Sequence, residues 1–327
     1  MDWMQILNLT LGALIDPLTM AYVLCAIGLA VHFGFTGLLN FGQAAFAAVG
    51  AYGMAIGVLT LKLPLAAAMI FGLLAVVVFA LILGIPTLRL RADYLAIVTI
   101  AAAEVFRYLM STISLAPVTG GSNGLSQFGY EFFTWNPIPQ GQYVLGPITL
   151  SADDVWLRIF SIGLVALSTF LVWLMMRSPW GRVLKGIRED EDAVRSLGKN
   201  VFSYKLQSLI VGGLFAGLGG EVFVLAMSNV QPSSWVTTFT FMIWTVLLLG
   251  GAATVLGPVA GGMAFFVLLI LTNEILSGLL AIGALPFLTL PQVGQVRFIL
   301  IGLALMLLVI FRPQGMFGNK KELRFNG

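Results

Sequence analysis

Few side chains in this sequence are able to do chemistry, and a third of them stand together. Ten of the 31 Lys, Arg, Asp and Glu residues occupy the 23 positions from Arg177 to Lys199, RSPWGRVLKGIREDEDAVRSLGK. At its centre, Arg188, Glu189, Asp190, Glu191, Asp192, Ala193, Arg195 and Gly198 set four consecutive acids between two arginines. Other ionisable groups are scattered through apolar runs: Glu104 and Arg107 three apart, Glu221 after Gly220, Glu274 after Asn273, and one histidine, His32. On one helix Glu104 and Arg107 neutralise each other, which lowers the roughly 2.5–3.5 kcal/mol that insertion scales give each charge at the centre of a membrane span. Two readings of that pair stand: a structural pair near a membrane boundary, and part of a solute path. Glu221 and Glu274 have no evident partner, and either face a wet cavity or carry a proton. His32 reads as a packed residue.

Enzyme chemistry is not expected. Gly181 to Gly186 has the glycine spacing of a phosphate loop but continues Ile187-Arg188, and Gly198-Lys199 lacks the earlier glycine. One His and one Cys make no metal cluster. No catalytic residue, metal or cofactor is assigned to this chain. Cys25 has no second cysteine to pair with, so it reports nothing about redox compartment.

The elements that must position these groups follow from composition. With 59% apolar and 9% charged residues and a mean hydropathy of +0.99, the 327-residue chain is a polytopic membrane protein. Its apolar runs are long and continuous, without the ten-residue alternation of barrel strands, so the fold class is all-α. A net charge of +3 then reflects basic loops, with no nucleic-acid partner. No Lys or Arg precedes the first long apolar run, so a cleaved signal peptide is not expected.

After an amphipathic lead-in over 1–16, nine transmembrane helices are expected at about 17–36, 40–61, 64–86, 94–111, 155–176, 206–227, 236–255, 258–281 and 293–311. The break at Gly34 to Gly37 is either a full reversal, a kink or a re-entrant turn. Residues 112–154 form a polar loop with six glycines, four prolines and no Lys or Arg. With the amino terminus outside and the carboxyl terminus cytoplasmic, 13 of the 17 cations share the inner side: Arg89, Arg91, the seven from Arg177 to Lys205, Arg312, Lys320, Lys321 and Arg324. The other four, Lys62, Arg107, Arg158 and Arg297, lie at or near outer ends. Small residues at Gly53 and Gly57, Gly213 and Gly217, Ala216 and Gly220, and Gly257 and Gly261 are spaced for close helix contact.

The charged island has helical order of its own. Ser178 caps a helix with Pro179 at its first position, and Trp180, Val183, Leu184 and Ile187 give that helix one apolar face. Glu189 to Asp192 then supply acids at a second helix start, Ala193, Val194 and Leu197 form its small apolar side, and Gly198 stands just past its end. The expectation is two short helices joined at an acidic elbow, set against a solvated linker, which needs no such periodicity.

Several segments together resemble a known family. They are FTGLLNFGQAAFAAVGAY at 35–52, RLRADYLAIVTIAAAEVFRYL at 89–109 with TGGSNGL at 119–125, SPWGRVLKGIREDEDAVRSLGKNV at 178–201, LLGGAATVLGPVAGG at 248–262 and FRPQGMFG at 311–318. Their order and combination are similar to the LivM-like permease subunits of ATP-binding-cassette importers for branched-chain amino acids. The resemblance implies one permease domain over 1–327, in a bacterial cytoplasmic (inner) membrane, with an outer polar loop 112–154 and a cytoplasmic loop 177–205 that docks on an ATPase. Asp192-Ala193-Val194 followed by Gly198 is similar to a relaxed Glu-Ala-Ala, three residues, Gly docking pattern. The implied partners are a LivH-like second permease, two nucleotide-binding ATPase subunits supplying ATP and Mg, an extracytoplasmic substrate-binding protein facing the outer loop, and membrane lipid. Relatives carrying urea, short amides or aromatic acids look alike, so the resemblance alone does not separate these from branched-chain amino acids.

Two other classes compete. An ion-coupled secondary carrier would use Glu104, Glu221 or Glu274 to couple protons or sodium, but has no need of a docking helix. A membrane scaffold needs no buried carboxylates.

Overall fold

A computed structural model describes residues 3–89, 92–145, 148–281, 289–311 and 314–318. Arg91, Arg312, Lys320, Lys321 and Arg324, used above to orient the chain, lie outside the described residues. The first half contains α1 (Trp3–Gly12), α2 (Pro17–Leu29), α3 (Gln43–Leu59), α4 (Leu65–Thr87) and α5 (Ala92–Ser111). The polar loop follows, with β1 (Leu125–Ser126), the short helices α6 (Ala116–Thr119) and α7 (Tyr130–Thr134), and the hairpin β2 (Gln142–Leu145) and β3 (Ile148–Ser151). The second half has α8 (Ala152–Arg177), α9 (Pro179–Glu189), α10 (Glu191–Ser196), α11 (Val201–Met227), β4 (Asn229–Val230), α12 (Thr237–Gly250), α13 (Gly257–Ala281) and α14 (Leu290–Phe311).

The chain is an all-α, multi-pass membrane protein. Among the described residues, six helices are long and apolar enough to cross a membrane: α2 with its continuation to Phe35, α4, α5, α8, α11 and α13. A helix stands at each of the nine expected places, but α3 and α12 have only 17 and 14 residues. Both are shortened because part of their expected span is irregular: residues 40–42 precede α3, and 251–255 follow α12.

The bundle is built around α2 and α11. Gly28 packs on the Gly212 carbonyl and Gly219 on Ala21 and Cys25, so the two helices run antiparallel at backbone contact. At α11's other faces, a Cβ at Gly220 would sit 1.9 Å from the Ala47 carbonyl oxygen, and one at Gly217 would meet Val76. Gly53 lies on Gly72 and Gly57 on Ala68, which joins α3 to α4, while Gly261 lies on Val246, which joins α12 to α13. Where lipid supplies no hydrophobic drive between helices, such close approach supplies the dispersion contacts that hold them. The small-residue pairs read from sequence are therefore packing surfaces.

The break at Gly34–Gly37 is a reversal. α2 continues as a wider π turn over Ala30–Phe35, and Gly37 adopts φ +78°. The chain then doubles back, so that Asn40 bonds His32 and Gln43 bonds the Cys25 carbonyl. Consequently α3 starts well inside the bundle.

The molecule has two distinct ends. At one, Asp16 meets Arg158 at 3.6 Å, Glu131 accepts from the Leu65 amide, and β1 pairs with β4. The polar loop packs here, with Phe132 buried against Trp156 and Phe160. At the other end are the reversal turn, the charged island, Arg89 over the Phe202 ring, and residues 314–318. There Met316 and Phe317 amides donate to the Leu249 and Gly250 carbonyls, satisfying acceptors at the end of α12.

Candidate functional site

The island forms the two short helices its spacing predicts. Ser178 accepts from the Gly181 amide with Pro179 at the first helical position, and Leu184 and Ile187 of α9 are buried. Asp190 is the joint: it ends α9 and its side chain accepts from the Ala193 amide at 2.9 Å to cap α10. Gly198 closes α10 with φ +76°, a conformation costly to residues with a Cβ. Arg195 bridges Glu191 and Asp192, each at 2.9 Å, and Lys205 of α11 holds the other oxygen of Glu191. These pairs are mostly solvated and individually contribute about 0–1 kcal/mol; their effect is to fix where the charges point. One detail departs from the periodicity. Only Val194 packs back, on Gly186, whereas Ala193 and Leu197 are exposed, because α10 has six residues and rides above α9. Leu197, 79% exposed, stands at the outer tip among the charges.

Arg188 faces the opposite way. Its side chain is 13% exposed, with Nη1 donating to the Gly34 carbonyl at 2.5 Å and Glu189 3.7 Å from Nη2.

In the interior, a fully buried polar cluster occupies the return from α2 to α3. His32 Nε2 donates to the Leu209 carbonyl, and Asn40 Nδ2 donates to His32 Nδ1 and to Gln43 Oε1, all at 3.0 Å. With one ring nitrogen donating and the other accepting, the imidazole is neutral. Gln43 Nε2 donates to the Cys25 carbonyl, Asn40 Oδ1 accepts from the Gly42 amide, and Trp244 Nε1 donates to the Asn40 carbonyl. Thr99 of α5 and Thr240 of α12 accept from the Phe41 and Ala44 amides at the start of α3. His32 is packed, as read. Asn40, Gln43, Thr99 and Thr240 were not evident as site residues from the sequence; the available signal was three polar residues, Thr36, Asn40 and Gln43, inside an apolar run.

Glu104 and Arg107 bond on one face of α5, at 2.7 Å. Glu104 Oε1 also accepts from Thr237 at 2.8 Å, which ties α5 to the start of α12. The pair is part-exposed, 30% for Glu104 and 19% for Arg107, and lies apart from the island. Glu274 accepts from Asn273, whose carbonyl oxygen accepts from Arg297 at 3.2 Å, so it has polar neighbours the sequence did not show. Glu221 is fully buried between α3, α4 and α11, with neither oxygen bonded among the described residues. The structure thus does not bring the four residues proposed for a path into one cluster. Among the described residues no three His, Cys, Asp or Glu side chains are placed to hold a metal.

The described residues thus set charged helices at one end, a satisfied polar hub in the interior and a folded loop at the other end. Comparison with known proteins gives the family. Residues 17–310 match the family described as "Branched-chain amino acid transport system / permease component". The chain is 31% identical over 319 residues to the high-affinity branched-chain amino acid transport system permease protein LivM of Escherichia coli, covering 92% of this chain and 69% of that protein. It is 23% identical to the probable branched-chain amino acid transport permease protein LivM of Methanocaldococcus jannaschii, with 91% of each covered. It is also 26% identical to the guanosine ABC transporter permease protein NupQ of Bacillus subtilis, covering 76% of this chain and 77% of that one.

Proposed function

Because this chain belongs to the branched-chain amino acid transport permease family, we propose that it forms, with a LivH-like second permease, the path of an ATP-driven importer for branched-chain amino acids. Two nucleotide-binding subunits supply ATP and Mg chemistry, and an extracytoplasmic binding protein delivers solute to the folded loop 112–154. In this reading the chain crosses nine times, with the amino terminus outside and, from the distribution of cations, the island on the cytoplasmic face of a bacterial inner membrane. The permease carries no ATPase site of its own.

The observation that carries this reading is the elbow. Two capped helices hold Asp192, Arg195 and Leu197 out in solvent, while Arg188 anchors their other side to the bundle. A charged edge around one apolar tip suits a cleft in a soluble partner, the pattern in which an anchor residue fills a pocket within a polar rim. Glu104 and Arg107, part-exposed on α5, are the charges proposed to lie near the path; Glu221 and Glu274 belong to it only if water reaches them. Similarity to a guanosine permease supports a second reading of the cargo alone, a nucleoside in place of an amino acid.

The test is charge reversal in the assembled complex. The Asp192→Arg, Arg195→Glu double variant should insert normally and lower substrate-stimulated ATP hydrolysis by about tenfold, equivalent to ~1.4 kcal/mol of lost docking. Unchanged hydrolysis would overturn docking at the elbow. Uptake should persist when ion gradients are collapsed and ATP is maintained; loss of uptake there would instead favour the ion-coupled carrier.

A further inference from the structure

The elbow meets the bundle through a contact between segments 154 residues apart in sequence. Arg188 turns from the exposed charges and donates to the Gly34 carbonyl at 2.5 Å. Its stem lies on Gly37, where a Cβ would fall 3.3 Å from Arg188 Cγ. Gly34 is wedged in turn against Ala252, whose carbonyl oxygen would stand 1.7 Å from an added Cβ. These glycines belong to the reversal turn, which leads to Asn40 and its bonds to His32, Gln43 and Trp244, and then to the start of α3. By contrast, the described charge pairs of Glu191, Asp192 and Arg195 close within the elbow or on Lys205.

We propose that Arg188 is the positioning residue that carries movement of the elbow into the reversal turn at Gly34–Gly37 and on to the start of α3. The inference rests on the docking reading above and adds the route by which docking reaches the interior. A charge-assisted, largely desolvated bond to a backbone carbonyl transmits displacement better than exposed, screened pairs do. The turn it holds is tightly packed, because Gly34 abuts the Ala252 backbone on its other side and Gly37 abuts the backbone and stem of Arg188 itself. Movement entering here shifts the part of α3 that Thr99 and Thr240 grip, and so reaches α5 and α12 together.

The experiment uses the full transporter in lipid nanodiscs, with Leu39→Cys as a reporter beside the turn; the native Cys25 is fully buried. Maleimide labelling is timed with and without vanadate-trapped nucleotide. The parent should change its labelling rate at least about threefold on trapping, and Arg188→Met, which keeps the stem and loses the donor, should abolish that change. Arg188→Lys, which keeps a donor, should retain most of the change. An Arg188→Met response equal to the parent's, or no response in the parent, overturns the proposal. Should Arg188→Met fail to assemble, Arg188→Gln, too short to reach the carbonyl, carries the same test. Docking is read separately, by whether the ATPase co-purifies with Asp192→Arg, Arg195→Glu: retained co-purification there overturns the elbow as dock, whereas a parent-like Arg188→Met overturns only the route.

Discussion

Asn40 shows how much one side chain holds in the interior. Both of its amide hydrogens and its carbonyl oxygen are used, on His32, Gln43 and the Gly42 amide. Asn40→Ala leaves three buried groups short of a partner, at about 1–3 kcal/mol each before relaxation. Thermal unfolding in detergent should show a loss on the order of 3 kcal/mol, with Asn40→Asp also impaired because it removes both donors. A melting temperature equal to the parent's would mean the cluster is not the keystone its geometry implies. This cluster was poorly legible in the sequence. The stretch FTGLLNFGQ is part of a family pattern, but Ser208 and Leu209, which meet Thr36 and His32 from α11, lie 172 and 177 residues away, and local spacing carries no information about them. Glu104 and Arg107 were legible because both partners sit on one turn of one helix; Thr237, from a distant segment, was not.

The elbow was almost wholly legible, and for a related reason: caps and charge order act within a few residues. Ser178, Asp190 and Gly198 each do what their type and position predict. Asp190→Ala should cost α10 about 1 kcal/mol, seen as roughly fivefold faster amide exchange over 191–196, while α9 keeps its own cap and its protection. Equal loss of protection in both helices would show them to be one cooperative unit. Small-residue spacing was equally readable, since a Gly or Ala pair on one helix face has few uses other than close packing. The ends of α3 and α12 were not. Hydropathy runs on through the irregular residues 37–42 and 251–256, whose backbone groups find partners in the bundle, so apolar composition there does not mean helix.

For the molecule as a whole, burial falls from the centre outward. The hydrophobic windows of α2 and α11 are 83% and 67% buried, against 17% for α5 and 11% for α13, so the outer helices show apolar faces to whatever surrounds them. The two ends also differ in kind, one capped by the folded polar loop and the other carrying the exposed elbow. Trp135 and Leu197, exposed at opposite ends, allow a direct check of orientation. Cysteine at position 135 should react with a membrane-impermeant maleimide in intact cells, and cysteine at 197 only after permeabilisation; the reverse pattern would invert the proposed topology.

The antiparallel pairing of α2 with α11 bears on how the chain is made. α2 leaves the ribosome early, yet the carbonyl that satisfies its His32 belongs to Leu209, 177 residues later. During synthesis Asn40 and Gln43 can cover one side of this helix at once, but His32 Nε2 must wait for its acceptor until α11 has been made.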